Sequence, residues 1–380
     1  MADKSTVLDT TTTVPFVDLA LQHAVIAETV AAGIETVLGH QGFILGPEVT
    51  QFESAFARFC TVGHALGVGN GTDALELALR AVGIGRGDEV ILPANTFVAT
   101  AEAVARSGAR IVLVDNDENF LIDPAAVAER VTSKTRAVMA VHLYGQTAPV
   151  EVLEAVLPDG VFLVEDAAQA QGARRNGRRA GSLGDIAGTS FYPGKNLGAY
   201  GDAGAVMTDS ADYAGRVARL RNHGGRERYE HGLVGVNSRM DSIQAVVLLA
   251  KLARLDAWNE QRRIAAAYYG ELLTDHPDII APKTVPGNEH VFHLYVVRVP
   301  ATARDEALRA LAAAGIGAGI HYPVPIHRLP AFSEFELARG SFPLAEAYAA
   351  EILSLPIFPG ITRRQQEYVV DSLGAAVRAG

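Results

Sequence analysis

The sequence predicts an α/β protein: a large unit on a mostly parallel, seven-stranded sheet covered by helices, and a smaller C-terminal α/β unit. Two observations lead there. Short apolar runs of strand length recur between residues 65 and 208, separated mostly by helix-length segments. That alternation produces a mostly parallel sheet buried on both faces. The chain of 380 residues, 49% hydrophobic and 20% charged, is also long enough for one large core and a second smaller one.

The N-terminal residues 1–13 read as a flexible, threonine-rich polar tail with no apolar signal run. Val14 to Leu19 is a short extended entry, and helices are expected over Ile26–Leu38 and Glu48–Phe59, joined by a Gly/Pro-punctuated loop. In that loop Phe43 and Ile44 suit either buried anchors or the wall of a pocket. The predicted strands are Ala65–Val68, Glu89–Leu92, Ile111–Val114, Ala137–Val141, Val161–Val164, Ile186–Phe191 and Ala205–Thr208. Helices are expected over Leu75–Ala81, from P-A-N-T-F-V-A-T onward, and over Pro124–Val131, Pro149–Leu157 and Asp209–Leu220. A long helix, Met240–Asn259, continues through Arg262–Leu273 and joins a large unit, 14–250, to a small one, 251–380. The small unit is expected to contain strands Val291–Val299 and Ile316–His321 and helices Asp305–Ala314, Tyr348–Leu353 and Arg364–Val377.

Composition excludes several functions. A net charge of -10 with no basic tract argues against nucleic acid or an anionic membrane as partner. No window holds 18 uncharged apolar residues, so no membrane span is expected and the cytoplasm is the predicted location. The single cysteine, Cys60, rules out an intrachain disulfide framework and a cysteine-rich metal site. The histidines form no ligand cluster at recognisable spacing, so no metal is expected.

The chemistry gathers at strand ends. Glu165 and Asp166 follow the apolar run Val161–Val164, and Lys195 tips a Pro-Gly turn after the run from Ile186. Gly71 and Thr72 lie where a glycine-rich turn opens a helix, whose free N–H groups and dipole favour an anion such as phosphate. Phe97, just past another strand end, either stacks on a planar ring or belongs to the core. In open α/β sheets, ligands collect outside the carboxyl ends of the strands, and Gly71, Thr72, Phe97, His142, Asp166 and Lys195 all fall near that edge. A lysine forms an imine with an aldehyde only as the free amine, which burial favours. A carboxylate beside a pyridine nitrogen keeps the ring protonated, so the ring accepts the electrons left when a C–H proton departs. Lys195 and Asp166 fit those two roles, with Ser190 and Gln169 near enough in sequence to bond phosphate and ring hydroxyl. The expected cofactor is pyridoxal 5'-phosphate.

Seven blocks stand out along the chain: G-V-G-N-G-T-D-A-L, P-A-N-T-F-V-A-T, V-H-L-Y-G-Q, E-D-A-A-Q-A-Q-G, S-F-Y-P-G-K-N-L-G, G-V-N-S-R-M-D-S-I-Q-A and H-Y-P-V-P-I-H. Through these blocks the chain bears a resemblance, from V-P-F-V-D-L to L-S-L-P-I-F-P, to the DegT/DnrJ/EryC1/StrS sugar aminotransferases. It implies the type I fold of pyridoxal phosphate enzymes, with Lys195 as the Schiff-base lysine and Asp166 at the pyridine nitrogen. It places Gln169 by the phenolic oxygen, Phe97 over the ring, and Gly71, Thr72 and Ser190 at the phosphate. Asn237 is implied to reach the neighbouring subunit's cofactor phosphate in a homodimer with shared sites, which gives the arm Asn222–Arg239 a use. Tyr322 and His327 resemble residues that approach the sugar, and Arg219, Arg226, Arg228 and Arg239 are candidates for its diphosphate. Gln171 stands where relatives often carry histidine, which implies altered tuning. The implied reaction moves the amine of L-glutamate to a dTDP-3-keto-6-deoxyhexose, giving a dTDP-3-amino-3,6-dideoxyhexose. A 4-keto substrate is the runner-up and a non-catalytic regulator of the same fold the second alternative. A dehydratase on this scaffold needs histidine in place of Lys195.

Overall fold

The computed structural model describes residues 13–225, 229–335 and 340–379. The expected tail, 1–13, therefore lies outside the described residues except for Thr13.

Chain direction and burial set the large sheet. It begins with β1 (His64–Val68), β2 (Glu89–Pro93), β3 (Arg110–Val114), β4 (Thr135–Val141) and β5 (Phe162–Asp166). A hairpin, β6 (Arg174–Arg175) with β7 (Arg178–Arg179), interrupts it before β8 (Ile186–Ser190) and β9 (Gly204–Thr208). The spatial order is β1-β9-β8-β5-β4-β2-β3, and only β9 runs against the others. Alternation at period two sends successive side chains to opposite faces. Ala137, Met139 and Val141 of β4 enter one core with α3 (Gly71–Ala81) and α4 (Val98–Ser107). Val138 and Ala140 enter another with α5 (Pro124–Arg130) and α6 (Val150–Val156).

Strand β5 extends two residues beyond the apolar run that predicted it. Glu165 and Asp166 keep the ladder, facing Ala140 and Val141 on one side and Ala187 and Gly188 on the other. Both carboxylates therefore belong to the strand rather than to a loop after it. At the start of the chain, α1 (Leu19–His40) begins seven residues earlier than periodicity suggested. The carboxylate of Asp18 accepts from the amides of Ala20 and Leu21 and fixes that start. Helix α2 (Pro47–Cys60) packs Phe52 and Phe56 beneath β8 and β9, and α7 (Ala211–Leu220) follows the sheet.

The single long helix expected from Met240 is two helices, α8 (Ser242–Leu252) and α9 (Leu255–Leu273), parted by a turn at Ala253–Arg254. The turn lets α8 lie on α1 and α2 while α9 carries Ala265, Tyr269 and Leu273 into a separate C-terminal core. That core surrounds two antiparallel strands, β11 (Tyr295–Arg298) and β12 (Ile352–Leu355). The chain reaches β11 past β10 (Asn288–Glu289), which pairs with β6.

Two expectations for the small unit need correction. Ile316–His321 is no strand; it touches β-structure only through isolated bridges, Val14 to Ile316 and Gly319 to Ser354. The second strand is β12, whose first two residues overlap the helix expected over Tyr348–Leu353. Helix α11 (Pro343–Glu351) stops at Ile352, where an extended backbone pairs with β11 and buries Leu353 and Leu355. Helices α10 (Arg304–Ala313) and α12 (Arg363–Ala379) cover this sheet. The two units are tied together. Asp115, at the end of β3, accepts from the amides of Leu344 and Ala345 and caps α11 across the junction, each at 2.9 Å. Val14 packs into the C-terminal core, with 0% of its surface exposed, although it stands at the start of the large unit, 14–250. Among the described residues no helix is long and apolar enough to cross a membrane.

Candidate active site

A cavity of about 780 Å³ opens at the carboxyl edge of the parallel strands. The ends of β4, β5 and β8 bring His142, Asp166 and Ser190 to its wall. The start of α3 brings Gly71 and Thr72, the start of α4 brings Phe97, and the turn after β8 brings Lys195. The C-terminal unit closes the other side with Arg262, His293, His321 and Tyr322.

Asp166 is 5% exposed. Its Oδ2 accepts from the Thr100 hydroxyl at 2.7 Å and its Oδ1 from the Ala168 amide at 3.1 Å. Burial raises its pKa above the ordinary carboxylate value, against the pull of those donors and of Lys195. Lys195 is half-buried in the turn closed by its own amide on the Tyr192 carbonyl, at 2.8 Å. Burial pulls the amine down to about 8, against the opposing pull of Asp166. The carboxyl leans towards neutrality and the ammonium gives up its proton more readily, because burial disfavours both charged forms.

The residues present fit pyridoxal phosphate. The carboxyl at the floor suits a protonated ring nitrogen, and the lysine beside it suits an aldehyde carbon. The phosphate end is shaped by close approach: a Cβ on Gly71 would lie 2.5 Å from the Cβ of Ser190, so only glycine lets the first turn of α3 meet the end of β8. Asn70 caps that helix by accepting from the Asp73 amide at 2.8 Å, leaving the amides of Gly71 and Thr72 free for an anion. Phe97 is 47% exposed at the cap position of α4, which excludes the core reading, and its ring centroid lies 5.1 Å from that of Tyr322. Gln169 accepts from the Tyr144 amide at 2.7 Å and donates to the Tyr322 hydroxyl at 3.0 Å.

A family model for the DegT/DnrJ/EryC1/StrS aminotransferases matches residues 24–374. The chain belongs to that family. It is a pyridoxal-phosphate-dependent sugar aminotransferase of the type I fold, acting on nucleotide-linked keto sugars. It is 44% identical to the erythromycin biosynthesis sensory transduction protein EryC1 of Saccharopolyspora erythraea, over 95% of this chain and 99% of that one. It is 45% identical to the dTDP-3-amino-3,4,6-trideoxy-alpha-D-glucose transaminase of Streptomyces venezuelae, over 95% of each. The crystal structure of S. venezuelae DesV, in complex with a ketimine intermediate, superposes with a TM-score of 0.93 at 45% identity, covering 96% of this chain and 98% of that one.

Not every residue singled out in the sequence of this aminotransferase comes to the cavity. His327 does not: its ring is buried against Phe342, with centroids 4.8 Å apart, and its Nε2 faces Glu346 at 3.1 Å. The two prolines before it steer the chain into the protein instead. Phe43, Asn237, Arg219 and Arg239 do not line this chain's own cavity either. Phe43 and Asn237 are exposed; Arg219 donates to the Gly215 carbonyl, and Arg239 donates to Asn222 at 3.1 Å. Arg226 and Arg228 lie outside the described residues. Gln171 stands behind the wall, where its Nε2 donates to Thr189 Oγ1 at 2.9 Å and to the Ser190 carbonyl at 2.8 Å. Sequence reasoning missed Arg262 and His293, which line the cavity from α9 and from the segment before β11. No local pattern marks either one, because only the packing of the two units brings them there.

Proposed function

We propose that this enzyme transfers the amine of L-glutamate to a dTDP-3-keto-6-deoxyhexose, giving a dTDP-3-amino-3,6-dideoxyhexose. The observation that carries the reading is the placement of Asp166 and Lys195 on one cavity whose far end is an anion cup of Gly71, Thr72 and Ser190. The 3-position is favoured by likeness to a transaminase named for a dTDP-3-amino sugar.

Pyridoxal phosphate supplies an aldehyde carbon that carries the amine and a ring that takes up electrons from the adjoining carbon. The protein's part is to hold charges and move protons. Asp166 keeps a proton on the ring nitrogen. Lys195, with a pKa of about 8, has roughly a tenth of its amine free at pH 7 and is poised to take the Cα proton of the donor and, in the second half-reaction, to place a proton on the sugar carbon that gains the amine. Gln169 and Tyr322 would hold the ring's edge, Phe97 would cover its face, and Ser190 with the α3 amides would anchor the phosphate. The second role for Lys195 separates this enzyme from a regulator that merely binds the cofactor.

The enzyme acts as a homodimer in this reading. Phe43 and Asn237, idle in their own cavity, are exposed and free to serve the partner's site. Leu21, Val25, Leu38, Ile44, Tyr192 and Tyr200 are exposed as well, at 42% or more, and give the contact its apolar area. The deciding assay supplies L-glutamate with dTDP-3-keto-6-deoxyglucose, and separately with dTDP-4-keto-6-deoxyglucose, and locates the new amine by NMR. Amination at C3 is expected; amination at C4 alone overturns the 3-keto assignment.

A further inference from the structure

Arg262 is 2% exposed on α9, yet it borders the cavity. Its Nη1 donates to the carbonyls of Ile357 at 2.9 Å, Phe292 at 3.1 Å and His293 at 3.5 Å. Among the described residues, Nε and Nη2 have no hydrogen-bond partner and no carboxylate comes within ion-pair reach. The other cations on the cavity wall are already matched. Arg106 is held by Asp73 at 2.9 Å and Glu76 at 2.8 Å, and Lys195 feels the charge of Asp166. Burial lowers the Arg262 guanidinium to about 10, so it stays charged at neutral pH.

A buried cation satisfied only by carbonyl dipoles is a costly arrangement unless a ligand completes it. The free Nε–Nη2 edge of a guanidinium matches the two oxygens of a carboxylate. We propose that Arg262 receives a carboxylate of the amino-acid donor in the first half-reaction. The proposal rests on the aminotransferase reading above and names the recognition element of its donor side. The nucleotide sugar is the poorer occupant, because its diphosphate is a mid-section that must pass between open walls. Arg262 shows the cavity only the edge of an almost wholly buried side chain, which admits the end of a molecule. Arg262 also makes the donor class chemical: an amino acid, and not a simple amine.

The test uses holoenzyme carrying Arg262→Gln or Arg262→Lys. Each half-reaction is followed separately by the absorbance change of the cofactor. For R262Q, the L-glutamate concentration giving the half-maximal rate is expected to rise about tenfold or more, with R262K between R262Q and wild type. The keto-sugar half-reaction, started from the pyridoxamine phosphate form, is expected to change less than about threefold. Calorimetric titration with glutarate, which offers carboxylates but no amine, is expected to show binding to wild type that R262Q loses. Running L-alanine beside L-glutamate assigns the carboxylate: an equal loss for both marks the one on Cα, and a loss confined to glutamate marks the side chain. Unchanged donor kinetics and glutarate affinity in R262Q overturn the proposal. So does an equal loss in both half-reactions together with lowered thermal stability, which marks Arg262 as only a tie between carbonyls. Wild-type holoenzyme that reacts with no amino acid is a different failure, that of the aminotransferase reading itself.

Discussion

Glu165 and Asp166 are neighbours on β5 and both are buried, yet their pKa values move in opposite directions. Burial pushes both upward. For Glu165 it is outweighed by His142 Nε2 at 2.8 Å and by the amides of Gly181, Leu183 and Gly184 at 2.7–2.8 Å, so its carboxyl lies below the ordinary value. Nδ1 of His142 accepts from the Ala148 amide, which leaves Nε2 as the nitrogen that donates. Asp166 has two hydrogen bonds and an open cavity, and stays high. The fold surrounds one carboxylate with donors and leaves the other facing the cavity.

Because the folded pKa of Glu165 is depressed, its ionisation stabilises the protein above the unfolded value, and that stability is lost as pH falls through the folded value. Denaturant titrations between pH 3 and 6 are expected to show a steeper acid decline for wild type than for Glu165→Gln. Glu165→Leu strands a histidine and three amides and is expected to cost about 3–5 kcal/mol. An acid limb identical in wild type and E165Q would contradict the assignment.

Asp166→Asn keeps the shape but cannot hold a proton on a ring nitrogen. Turnover is expected to fall by roughly 10²–10⁴ while bound cofactor, read from its visible absorbance, is retained. Equal loss of turnover and of cofactor would instead give Asp166 a purely structural role.

The Lys195 amine, at about 8, predicts the pH dependence of cofactor capture by apoprotein. Only the unprotonated amine reacts, so the capture rate is expected to rise about tenfold from pH 7 to 9 and level off there. An unperturbed lysine would rise about a hundredfold over that span and continue upward. Lys195→Ala is expected to abolish the visible band and lower turnover by about 10³ or more.

Gly71→Ala places a methyl 2.5 Å from the Cβ of Ser190. Backbone must separate on both sides, at a cost of about 1–3 kcal/mol, and the cup widens. Weaker affinity for pyridoxal phosphate, measured by equilibrium titration, is expected to exceed any change in affinity for the sugar nucleotide.

The proposed homodimer with shared sites predicts complementation. Lys195→Ala and Asn237→Ala chains are each impaired alone; unfolded and refolded together, half of the mixed dimers' sites regain both residues, and activity is expected to reach about a quarter of wild type. No recovery, with mixed dimers confirmed by mass spectrometry, would place Asn237 outside the partner's site.

Much of this architecture was readable because buried parallel strands have a plain signature. A-V-M-A-V, for instance, is apolar on both faces, as the split of Met139 and Val138 between two cores requires. Lys195 and Asp166 were legible for a related reason, since strand ends are the one place where such a sheet exposes polar groups. The failures share a different cause. The turn at Ala253–Arg254 contains neither glycine nor proline, and the apolar period runs through it from Leu252 to Leu255. I-L-S-L follows a helix without a breaker, and only its pairing with Tyr295–Arg298 makes it a strand. Arg262 and His293 reach the cavity through tertiary packing alone, and H-R-L after two prolines gave no hint that His327 would turn inward.

The seat of Val14 has a further consequence. Its neighbours in the C-terminal core, among them Ile316 and Leu353, are synthesised long after it. The segment that carries Val14 therefore finds its seat only after those residues are made. A deletion that removes Val14 would take a buried wedge out of that distant core, so damage before the first helix should surface as a loosened C-terminal unit.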